Sequence, residues 1–270
     1  MRDACAVHRL TSASLVGELI SRLGAGRSPT GLSPEIQVEV ERVAIARTPG
    51  VFSSSLIVLL LDRFPLCAER VQLQKELALA LLELRNAEGT WSFEGPDGGY
   101  PPDVDDSALA IAATRYVRNS RRDFESLLAR TRTTPMGLVQ TWLDPRNGEN
   151  VADFVVNLHF LAAARRVGIE PPGLARAIWN ALKEGSGRSH YYCSGSCLEL
   201  FAREVFGSDA APRIRDVTLG PGNGAASALA HGEVLFRRRT SPVFYVSPGV
   251  SAVYKALRPA AATLQFKKEG

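Results

Sequence analysis

The sequence predicts an all-α fold, and three observations carry that prediction. Apolar residues recur three and four positions apart over most of the chain. Alternating, strand-like stretches are scarce. Gly, Pro and Ser punctuate the periodic segments at short intervals, so connections are short and neighbouring helices are expected to pack antiparallel.

Taken in order, the periodic segments are Leu15–Leu23, Ile36–Ala46, Leu56–Phe64, Val71–Leu84, Ser107–Arg118, Asp123–Thr131, Met136–Leu143, Asp153–Val167, Gly173–Lys183, Tyr191–Phe206, Ala225–Phe236 and Val250–Leu257, about a dozen helices. Ser33-Pro34-Glu35 opens one with proline near its first turn, and Pro171-Pro172-Gly173 separates two others. No fixed-period repeat is visible, which argues against a solenoid. Periodicity alone fits either a double ring of helices or an irregular bundle.

A chain of 270 residues buries a sizeable core without staples. No long linker interrupts it, so residues 1–270 read as one domain, with only 1–11 and 266–270 expected to be loose. The charge balance of 32 basic and 28 acidic residues is too mild to argue for nucleic acid. Four cysteines without a signal-peptide pattern fit free thiols in a reducing cytosol. The longest apolar run, Leu56 to Leu61, is far short of a bilayer span, which leaves transient peripheral membrane contact as the most the sequence allows.

The chemistry concentrates in Pro102-Asp103-Val104-Asp105-Asp106, after the glycines and prolines of Gly98-Gly99-Tyr100-Pro101-Pro102 and at the start of a helix. Aspartates there suit helix capping and the helix dipole. Three carboxyls in four residues exceed what a cap needs. Their mutual repulsion raises the pKa of at least one and leaves a neutral acid able to donate a proton.

Arg85-Asn86-Ala87-Glu88-Gly89-Thr90-Trp91 follows a long helix and resembles the Q-x-x-x-G-x-W motif of squalene-hopene and oxidosqualene cyclases, with Arg85 in place of glutamine. Asp103-Val104-Asp105-Asp106 resembles the D-x-D-D box of class II terpene cyclases. Asp153 to Leu161, Ser189 to Ser194 and Phe244 to Pro248 are similar to segments of small bacterial members of that superfamily.

The resemblance implies a monodomain α/α barrel, a double ring of helices around a central apolar cavity. It implies protonation-initiated cyclisation of a linear polyprenyl small molecule, free or carrying an aromatic head group, a diphosphate or an epoxide. Asp105 would be the general acid, with Asp103 and Asp106 holding its geometry. The family often sets a histidine or asparagine against the acid; Asn157 and His159 are the candidates, and being two apart they face different sides of their helix, with Asn157 matching the family's segment better. Trp91, Phe93, Tyr100, Trp142, Phe154, Phe160, Tyr191, Tyr192, Phe244 and Tyr245 are candidates for the substrate-binding, cation-stabilising wall, although each alone also suits ordinary core. No cofactor is required; Mg2+ enters only if the substrate carries a diphosphate.

Other constellations fall short. His190, Cys193 and Cys197 lack a full zinc ligand set, so no metal site is expected. Gly220 to Gly224 lacks the strand and lysine of a phosphate loop. The D-D-x-x-D motif of diphosphate-ionising synthases is missing. Two alternatives stay open: a non-catalytic lipid- or partner-binding barrel, favoured by Arg85 and by an aromatic content of 7%, and a carboxylate-based glycoside hydrolase or lyase.

Overall fold

The computed structural model describes residues 17–21, 23, 25, 27, 31–32, 35–39, 46–48, 50–93, 95–96, 100–144, 150–192, 195–207, 233–237, 243–247 and 250–253. Among the described residues, seven helices carry most of the core: α1 (Val51–Leu61), α2 (Ala68–Glu83), α3 (Val104–Thr114), α4 (Arg121–Arg130), α5 (Phe154–Arg166), α6 (Leu174–Lys183) and α7 (Gly195–Phe206).

Inner and outer helices alternate along the chain. Every residue of α1 and α3 is buried, as is α5 from Phe154 to Ala164. Their sequences explain it: VFSSSLIVLLL and, beyond its two aspartates, SALAIAAT are apolar or small on all sides, the pattern of a helix enclosed by others. α3 packs between α1 and α5, while α2, α4 and α6 lie outside and bury one face each, through Leu73, Leu77 and Leu81, through Phe124 and Leu127, and through Ile178 and Leu182. α7 packs on α5 and contributes Leu198, Phe201, Ala202 and Val205 to the core. None of the described helices is long and apolar enough to cross a membrane.

Helical order thus describes the core, but a small sheet accompanies it. Strands β1 (Glu35–Glu39), β2 (Ala46–Thr48), β3 (Glu233–Arg237) and β4 (Val243–Ser247) form an antiparallel sheet of order β2-β1-β4-β3. Two expected helices are corrected here: Ile36–Ala46 begins within β1 and reaches β2, and Ala225–Phe236 ends in β3. Glu35-Ile-Gln-Val-Glu39 alternates β-branched and polar residues and pairs with β4 across the length of the chain, while Glu233-Val-Leu-Phe-Arg237, rich in strand formers, pairs with the β4 segment that follows it in sequence. Leu235 is the extra residue of a bulge opposite β4.

A third correction concerns Met136–Leu143, which is extended rather than helical. Thr133 pairs with Val139, and Trp142 pairs with Asp103. Pro135 and Gly137, the latter at φ 83°, make a turn that a helix could not accommodate. The helix expected from Tyr191 begins at Gly195, and the one expected from Leu56 begins earlier, at Val51. The ends 1–11 and 266–270, Cys5, Cys193 and Gly220 to Gly224 lie outside the described residues.

Candidate acid site

The segment after α2 places the acid helix. Asn86 N–H donates to Thr90 O at 3.0 Å, closing a turn in which Gly89 has φ 82°. That positive φ favours glycine, and a Cβ on Gly89 would also push against Arg85 Nη2 at 2.6 Å. Arg85 sits 5.5 Å from the Trp91 ring centroid and pairs with Asp123 at 3.0 Å. Trp91 Nε1 donates to Leu81 O at 2.7 Å, and the Ser107 hydroxyl donates to Trp91 O at 3.2 Å. The end of α2 is thereby fastened to the first turns of α3.

Asp103 is the N-cap of α3 and accepts from Asp106 N–H at 2.7 Å. Capping is therefore what Asp103 does, and it leaves Asp105 and Asp106 in the first turn, where the helix dipole favours negative charge. Both are almost wholly buried, at 3% and 2% exposure. Burial and the neighbouring Asp105 push the Asp103 carboxyl up to about 8, with its partly exposed edge letting water temper the cost.

Asp105 is held on both oxygens. His159 Nδ1 is hydrogen-bonded to Oδ1 at 3.0 Å, and the Tyr192 hydroxyl donates to Oδ2. His159 is fully buried in a cage of rings: Phe201 at 4.7 Å and Tyr192 at 5.4 Å, both edge-on, and Phe52 at 5.9 Å. Its Nε2 has no hydrogen-bond partner among the described residues. Burial and the Asp105 carboxylate push the Tyr192 phenol well above its ordinary range, so it stays a proton donor.

Asn157 goes elsewhere. Its Oδ1 accepts from Val139 N–H at 2.6 Å, and its Nδ2 donates to Val139 O and Asp153 O, both at 2.8 Å. It acts as a strand partner for the extended 139–143 segment, which in turn meets the start of α3 through Val104 N–H to Thr141 O at 2.9 Å. The better-matching candidate of the pair thus does not reach Asp105, and His159 does.

No family model, curated protein or solved structure matches this chain.

The expected aromatic wall divides. Tyr192 touches the acid itself. Trp142 and Tyr191 meet edge-on at 6.2 Å with Trp142 Nε1 donating to the Tyr191 hydroxyl, and Trp142 is bridged to Asp103. Phe93 and Tyr100 meet edge-on at 6.2 Å. Phe154 is buried in α5, Phe160 packs on Phe124 at 5.0 Å, and Trp91 is spent on the α2–α3 junction. Phe244 and Tyr245 belong to β4, and their side chains lie outside the described set. Phe52 and Phe201 were not legible as site residues: each sits in an apolar helix with no local signal beyond hydrophobicity. No His/Cys/Asp/Glu group that could hold a metal occurs among the described residues; the spacing of His190, Cys193 and Cys197 falls partly outside them.

Proposed function

We propose that this protein is a class II terpene cyclase built on an α/α barrel, in which Asp105 protonates a terminal alkene or epoxide of a linear polyprenyl substrate. The observation that carries the reading is one buried carboxyl braced by His159 on one oxygen and Tyr192 on the other. The alternation of inner and outer helices is consistent with the barrel.

A carboxyl offers four lone-pair positions, and the two neighbours use two of them. In the acid form a proton on Oδ2 would take a position Tyr192 leaves free, with His159 donating to Oδ1 from its Nδ1–H tautomer. Hydrogen bonds to the carboxylate stabilise the conjugate base as the proton leaves, which strengthens the acid at the moment of transfer. Phe52, Phe201 and Tyr192 pack around His159, so the histidine side of the acid is shielded from water that would quench a cation. This chemistry asks for no cofactor; a diphosphate on the substrate would be a passive handle.

The reading is tested by incubating the protein with farnesyl and geranylgeranyl compounds in D2O. A cyclic isomer carrying one non-exchangeable deuterium supports alkene protonation; cyclic product without deuterium from an alkene substrate would contradict it. The engagement of both Asp105 oxygens favours, as a second reading, a binding domain in which the same network is structural. It predicts tight polyprenyl binding with no conversion.

A further inference from the structure

None of Asp153's hydrogen bonds goes to Asp105, yet Asp153 is joined to the elements carrying both residues that hold it. It is fully buried. Its Oδ1 accepts from the N–H groups of Val155 at 2.8 Å and Val156 at 3.2 Å, capping α5, the helix that presents His159. Its Oδ2 accepts from the Ser189 hydroxyl at 2.9 Å, His190 N–H at 2.6 Å and Tyr191 N–H at 3.4 Å. Ser189 Oγ then accepts from Tyr192 N–H at 2.9 Å. Phe154 N–H to Arg188 O at 2.9 Å closes the same junction.

A helix cap needs two of these five donors; the other three belong to the 189–192 loop. A carboxyl group offers two acceptor oxygens and so can accept on both sides at once. We propose that Asp153 is a positioning residue of the acid site: it fixes the 189–192 loop against the start of α5, sets the separation of His159 and Tyr192, and so holds the Tyr192 hydroxyl on Asp105. The structural link stands by itself; its consequence for turnover rests on the reading of Asp105 as the acid.

Two substitutions separate positioning from capping. In Asp153→Asn the single oxygen can still cap α5, as asparagine does well, but the amide then turns N–H groups toward the His190 and Tyr191 N–H groups. Ser189→Ala leaves the cap intact and cuts the connection to Tyr192.

The full chain labelled with 13Cζ-tyrosine and 15N-histidine gives the readout, with Tyr192→Phe and His159→Phe assigning the signals. In both variants the Tyr192 resonance is expected to shift toward that of a free phenol and its titration to fall toward the ordinary 10.0. Turnover is expected to fall roughly 10- to 100-fold with KM little changed, the usual effect of losing an outer-sphere support. Folded variants with an unmoved Tyr192 signal would overturn the proposal. If Asp153→Asn does not fold, Ser189→Ala decides alone. A wild type that cyclises nothing, with Tyr192 responding as described, defeats the acid reading and supports the Asp153 link.

Discussion

His159 Nδ1 lies 3.0 Å from Asp105 Oδ1, joining the first turn of α3 to the middle of α5 across 54 residues of sequence. The histidine is both a hydrogen-bond partner and a packed ring, so two substitutions separate those parts. His159→Ala opens a cavity among Phe52, Tyr192 and Phe201 and leaves a buried carboxyl oxygen short of a partner, at a cost of roughly 3–5 kcal/mol. His159→Phe refills the cage and is expected to recover a large part of that stability in thermal unfolding, yet to leave cyclisation at least ~100-fold down. Activity returning with the phenylalanine would remove His159 from the chemistry.

Tyr192→Phe deletes one hydroxyl and keeps the ring against His159 and Phe52. Asp105 Oδ2 then loses its donor inside a buried site, which costs about 1–3 kcal/mol. A melting temperature below wild type together with slower turnover is expected; an unchanged melting temperature would mean that the hydroxyl does not bond Asp105 in solution.

Stability is expected to fall as pH rises. Asp103 moves from an ordinary 3.8 up to about 8 on folding, chiefly through burial and then through Asp105. The folded chain therefore binds more protons than the unfolded one between those values. Its contribution is fully present below 3.8 and is lost as pH climbs through about 8. Asp153, also raised by burial, adds a slope of the same sign that both proteins share. Asp103→Asn keeps a cap acceptor and removes the titration, so urea unfolding across this range should show a flatter profile than wild type. Identical slopes would contradict the shift.

Trp91 offers a contrast with the aromatic residues at the acid. Its indole N–H is bound to Leu81 O, which also accepts from Leu84 N–H, and its ring lies under Arg85, so Trp91→Phe is expected to cost about 1 kcal/mol, the net worth of one hydrogen bond. Product distribution should not change. A new product profile from a protein of wild-type stability would return Trp91 to the cavity wall.

Much of the helical core is legible in the sequence, because α1, α3 and α5 announce themselves by apolar or small residues on all sides. That same uniformity hides the choice between Asn157 and His159: with α5 buried all round, nothing local fixes its rotation, and packing against α3 decides which side chain meets Asp105. The strand β1 was obscured because Ile36, Val40 and Val43 satisfy helical spacing while Ile36, Val38 and Val40 alternate, and pairing with β4 some 200 residues away settles it. Asp153 carries a readable N-cap signal before an apolar run, but its grip on Ser189, His190 and Tyr191 is tertiary and leaves no mark in sequence spacing.

The central claim is that Asp105 donates the initiating proton. The most direct measurement compares wild type with Asp105→Asn on a panel of farnesyl and geranylgeranyl compounds bearing diphosphate, hydroxyl or aromatic heads, with and without EDTA, read by mass spectrometry, with circular dichroism confirming that the variant folds. The account predicts cyclic isomers from the wild type, insensitive to EDTA when the head is uncharged, and a loss of at least ~100-fold in the variant, the scale of a missing general acid. A folded Asp105→Asn protein that cyclises at the wild-type rate would contradict it.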